Sequence, residues 1–126
     1  MKTGVKLLAP ALVALFAATA AQAHHSGAMF DNTKTVTLVG TIKEFAWRNP
    51  HASVEVMVAD AAGAVSQWSI ECSTPNILLR KGWNIKSLLP GDKVTVVMHP
   101  MKDGGKAGLV MTVLTPSGTT LADHNF

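Results

Sequence analysis

The stretch TVTLVGTIKEFAW, residues 35–47, decides the fold. It is rich in β-branched and aromatic residues, and Val36, Leu38 and Ile42 recur on one face in the approximate alternation of a half-buried strand. Gly40 sits at its centre, where a residue without Cβ permits a bulge or a sharp bend. The expectation is a single long, curved first strand.

Arg48-Asn49-Pro50 ends that strand, and alternation resumes over residues 51–59, with Val54, Val56 and Val58 inward and His51, Ser53 and Glu55 on the other face. Asp60-Ala61-Ala62-Gly63 reads as a hairpin turn into a third strand from Val65 to Cys72, which points Trp68 and Ile70 inward. The period then changes. Thr74 suits a helix N-cap, Pro75 the first helical position, and Gly82 the left-handed residue that stops a two-turn helix after Lys81, with Trp83 packing back on Leu78. Beyond the turn at Leu88–Asp92, Val94, Val96 and Met98 alternate along a fourth strand that stops at His99-Pro100. Gly104-Gly105-Lys106 leads to a fifth strand over residues 109–115, and Pro116-Ser117-Gly118 turns into a polar tail. Three strands, a short helix and two strands is the order of a mainly all-β, five-stranded OB-like Greek-key barrel with its helix between strands three and four. A small open β-sandwich is the alternative arrangement.

Upstream, Lys2 and Lys6 precede an apolar run from Leu7 to Ala18, and Ala21-Gln22-Ala23 places small residues at −3 and −1 of a cleavage site. Residues 1–23 therefore read as a secretory signal peptide. The run is shorter than the roughly 20 residues that span a bilayer and contains Pro10, so no membrane span is expected after cleavage. His24 to Phe126, 103 residues, then form one domain in the periplasm or outside the cell. Removing two of the 11 basic residues and none of the 8 acidic ones lowers the formal charge from +3 to +1. Only Arg80-Lys81 pairs adjacent basic residues, which argues against nucleic acid as a partner. With 48% hydrophobic residues the chain has ample material for one core, and Cys72, the only cysteine, leaves that core without an internal disulfide. Cys72 shares a face with Trp68 and Ile70, so a buried, inert thiol is favoured over a ligand or nucleophile; pairing of two chains through it stays open.

Cleavage after Ala23 makes His24 the mature amino terminus, whose α-amine and imidazole Nδ1 chelate one metal in a six-membered ring. Neutral amine and imidazole nitrogens suit Cu(II) best among the divalent ions, with other divalent metals possible. His25, His51 and His99 are candidate further ligands, His99 the weaker. Cleavage after Ala21, with Thr19 at −3, is less favourable and leaves histidine third, another chelating arrangement. Met29 and Met101 add thioethers suited to Cu(I), whereas Met98 alternates with core residues and His124 reads as solvated in the tail. No G-x-S-x-G, H-E-x-x-H or paired-carboxylate motif points to an enzyme, and Glu55 and Glu71 read as polar exterior. The competing class is a metal-free module that binds an envelope ligand or protein, with Trp47 as its exposed platform.

His24-His25-Ser26 after the leader, Met29-Phe30-Asp31, Trp47 to His51, Thr74-Pro75-Asn76, Arg80 to Trp83 and Leu89 to Asp92 together resemble a family of small exported bacterial proteins of unknown function. The likeness spans nearly all of the mature chain and implies a single-domain β-barrel beginning with His-His-Ser, without an assigned activity. It places His24, His25 and His51 within identifying motifs, and so favours His51 as third ligand. Where this chain has Cys72, that family is expected to carry a small residue such as glycine, so any role for the thiol is particular to this sequence.

Overall fold

The computed structural model describes residues 27–124. After a single 3-10 turn at Gly27–Met29, the chain forms β1 (Val36–Ala46), β2 (Ser53–Ala59), β3 (Val65–Glu71), helix α1 (Pro75–Arg80), β4 (Lys93–Pro100), β5 (Ala107–Leu114) and β6 (Thr120–Ala122). The strands lie in the order β3-β2-β1-β4-β5-β6, and β3 also pairs with β5. That extra pairing is parallel, joins Ser69, Ile70 and Glu71 to Ala107, Gly108 and Leu109, and closes five strands into a barrel. The open sandwich is thereby excluded.

β1 serves both sides of the closed sheet. Val36 to Thr41 pair with β4, and Thr41 to Ala46 pair with β2, with a register shift between Ile42 and Glu44. Gly40 stands at this handover. A Cβ there would lie 2.4 Å from the Met57 carbonyl oxygen and 2.7 Å from Val56 Cγ1, so the crossing needs glycine for space. Gly108 does the same for β5 where that strand passes from β4 to β3; a Cβ would fall 2.2 Å from Met98 Sδ.

Inward positions of all five barrel strands fill the interior with Leu38, Ile42, Val54, Val56, Ile70, Val94, Val96, Met98, Val110 and Val113. Trp68 lies partly buried beside this core, opposite Val56. The helix adds Leu78. Its N-cap Thr74 accepts from the Ile77 N–H at 3.4 Å, and its C-terminus closes with Trp83 N–H to Leu78 oxygen at 3.0 Å and Gly82 N–H to Leu79 oxygen at 3.1 Å. Those two bonds are the glycine-stopped motif expected from Gly82, and they send Trp83 into the core at 1% exposure.

Three boundaries differ from the sequence reading. β2 begins at Ser53, which leaves His51 in the preceding loop, and β5 begins at Ala107 because its first residues pair with β3. The tail is not a solvated extension. Thr120, Leu121 and Ala122 pair with β5, Leu121 is buried, and Trp83 Nε1–H donates to the Ala122 carbonyl at 2.9 Å. Three residues are too short a pattern to announce a strand that is held by β5 and by a tryptophan 39 residues away.

Substituting Gly40→Ala should lower stability by about 1–3 kcal/mol, read as a lower urea midpoint with an unchanged slope. Gly27→Ala, where a Cβ meets nothing within 4 Å, should stay within about 0.5 kcal/mol of wild type.

Candidate functional site

His51 follows the cis Asn49–Pro50 bond in the β1–β2 loop and is exposed. Its Nδ1 faces Glu71 Oε1 at 3.7 Å, the carboxylate at the end of β3. A carboxylate on this side favours the ring with its proton on Nδ1 and its lone pair on Nε2. Beside the pair opens a cavity of about 360 Å³, lined by Pro50, His51, Ala52, Ser53, Ser69 and Glu71 together with Met29, Phe30, Met101, Ala107 and Gly108.

The methionines reach this cavity through a pairing far apart in sequence. Phe30 forms an isolated antiparallel bridge with Met101, flanked by Asp31 N–H to Pro100 oxygen at 2.8 Å and Lys102 N–H to Met29 oxygen at 3.0 Å. Phe30 is buried and anchors the segment that follows Gly27 against the exit of β4. Met29 and Met101 stay partly exposed at the cavity.

His99, by contrast, is buried at 3% exposure and does not line the cavity. Its Nδ1 lies 2.8 Å from the Lys34 carbonyl oxygen. A carbonyl only accepts, so Nδ1 carries the proton and the lone pair of the neutral ring is on Nε2. His24 and His25 lie outside the described residues. Among the described residues, no three of the His, Cys, Asp and Glu side chains converge as a metal-ligand group. Trp47 is not the open platform expected of it, since it packs edge-on against Phe45 at 5.6 Å, partly buried.

A second cluster adjoins this one and escaped the sequence reading. Asp123 is buried; its Oδ2 accepts from the Ser73 N–H at 2.7 Å, and its Oδ1 accepts from Ser73 Oγ at 2.7 Å and from Lys81 Nζ at 3.1 Å. Lys81 Nζ also donates to the Asp123 backbone carbonyl. His124, expected in solvent, has its Nε2 3.3 Å from Ser73 Oγ and 3.4 Å from Asp123 Oδ2. Serine, histidine and aspartate meet here, but not as a nucleophilic triad. The Ser73 proton goes to Asp123, and Ser73 Oγ then accepts from His124 Nε2–H, so the imidazole is no base for that hydroxyl.

Burial holds the His124 ring below the ordinary histidine range, and Lys81 and His51 push the same way, while Asp123 and Glu71 pull it back up in part. Burial also pushes the Cys72 thiol well above its usual range, reinforced by Asp123 and Glu71. With no exposed surface, Cys72 meets a second chain only if the barrel opens. Among the described residues, no helix is long and apolar enough to cross a membrane.

Asp123→Ala leaves two buried Ser73 donors unanswered and should cost on the order of 3 kcal/mol in urea unfolding. A histidine held below its ordinary value favours the folded state only while neutral. Its contribution is complete above the ordinary value of 6.5 and is lost as pH falls through that value towards the lowered one. His124→Asn should therefore flatten the fall in urea midpoint between about pH 7.5 and pH 5; an unchanged slope refutes the assignment.

The comparisons with known proteins bear on the whole chain. No curated protein and no solved structure matches it. One family model does match, over residues 12–111, and its description is a family of unknown function, DUF6152. That match spans β1 to β4, the cavity loop, the helix and most of β5, and the chain belongs to this family.

Proposed function

We propose that this protein is exported to the periplasm and binds a copper ion through its processed amino terminus, for storage or delivery and not for catalysis. His24 supplies its α-amine and imidazole, and His25 and His51 supply further nitrogens. His99 is the weaker candidate because its ring lies beside Lys34 and away from the cavity wall.

The observation that carries this reading is the route of the chain at Gly27–Phe30. Met29 and Phe30 line the cavity that holds His51, and His24 precedes Gly27 by three residues. Three residues reach at most about 10 Å when extended. A terminal amine and two imidazoles within that reach of Gly27 suit a site that includes His51. Glu71, beside His51 Nδ1, is the outer carboxylate that commonly orients a metal-bound imidazole. A second reading, a metal-free module for a small envelope ligand, draws support from the cavity itself, whose size falls within the usual range of small-molecule sites.

The full chain, exported by a bacterial host, should yield an intact mass beginning at His24 and retain one Cu(II) against a weak competing chelator, ahead of Ni(II) and Zn(II). One alanine added before His24 should lower the affinity about 100-fold, and His51→Ala about tenfold. A chain that begins at His24 and retains no copper sinks the reading and turns attention to small ligands of the cavity.

A further inference from the structure

We propose that the cavity beside His51 is a cuprous-ion site in which the thioethers of Met29 and Met101 join the His51 imidazole. This rests on copper being the cargo of the same end of the barrel, and it adds the oxidation state and the donor set.

The chain has six methionines, and their places differ. Met98 is enclosed in the core, and Met57 and Met111 sit within strands. Met29 closes the 3-10 turn and Met101 follows β4, about 70 positions later, and the Phe30–Met101 bridge brings both to the wall of one cavity. His51 lines the same cavity and turns Nδ1 towards Glu71, which leaves Nε2 as the nitrogen for a metal.

Two thioethers and one imidazole bring no negative charge to the ion. Thioether sulfur is a soft ligand that selects Cu(I) over Zn(II) or Ni(II). The walls favour the same ion. Pro50, Ala52, Phe30 and Gly108 offer little polar surface, and a monovalent ion gives up far less hydration on entering such a cavity than a divalent one. Glu71 at the edge provides one compensating negative charge. The amino terminus, with its nitrogen donors, remains the Cu(II) chelate, so the two oxidation states share His51 and differ in whether the terminal nitrogens or the thioethers complete the site.

The test uses the mature full chain under anaerobic conditions and titrates Cu(I) against a coloured Cu(I) chelator. Met29→Leu with Met101→Leu keeps volume and apolar character while removing both sulfurs. The expected result is a Cu(I) affinity lower by about tenfold or more, with Cu(II) affinity at the terminus changed by less than about twofold. Met57→Leu should leave both unchanged. X-ray absorption of the Cu(I)-loaded wild type should show sulfur next to copper, and the double variant should lack it. Equal Cu(I) affinity in wild type and double variant overturns the thioether site. A wild type that holds Cu(II) and not Cu(I) also overturns it and leaves the terminal chelate standing, whereas one that holds neither overturns both.

Discussion

Three parallel residue pairs between β3 and β5 hold the barrel shut, and the rest of the molecule depends on them. Without them β3 and the first half of β5, which β6 does not reach, would present unpaired edges to solvent. The pairing demands that β5 cross over Met98 on its way from β4, which Gly108 alone has the space to permit. It also carries Glu71 to the side of Leu109 and sets Ser69 N–H on the Lys106 carbonyl at 3.1 Å. The cavity beside His51 is bounded by these same residues, so its walls are a by-product of closure.

Local features were legible where the physics is local. Thr74, Pro75 and Gly82 each act within a few residues of themselves, and the helix they bound is the one they announce. Gly40 marked the bend in β1, and alternation through Val54, Val56, Val94 and Val96 marked the core. What stayed hidden depends on partners far along the chain. An aspartate three residues from the last one reads as solvated until Ser73, 50 positions earlier, is found beneath it. Likewise His51 gives no hint in sequence that Met29 and Met101 share its cavity, because a single bridge at Phe30 brings them together. Even the direction of closure shows only in the two residues by which β5 starts early.

Both ends of the described chain come to the same end of the barrel. The segment after Gly27 borders the cavity, and the β6 tail places His124 where it senses the charges of Glu71 and His51. Ser73 lies two residues beyond Glu71, so the backbone that positions the exposed carboxylate also donates to the buried one. A positive charge arriving at His51 would therefore be felt within the Asp123 cluster, which Ser73 just before the helix and Lys81 and Trp83 just after it hold to the tail.

The enclosed thiol of Cys72 turns the barrel into its own clock. With no surface in the folded chain and an acidity shifted away from the reactive thiolate, the sulfur meets an alkylating reagent only during excursions that part β2 from β3 or lift the helix. Its rate of modification is thus a direct count of how often the closed wall comes apart. Wherever an oxidant is present, the same geometry sets a deadline for folding, since a nascent chain is safe from cross-linking to its neighbours only once β3 has paired with β2 and the helix has docked over Cys72.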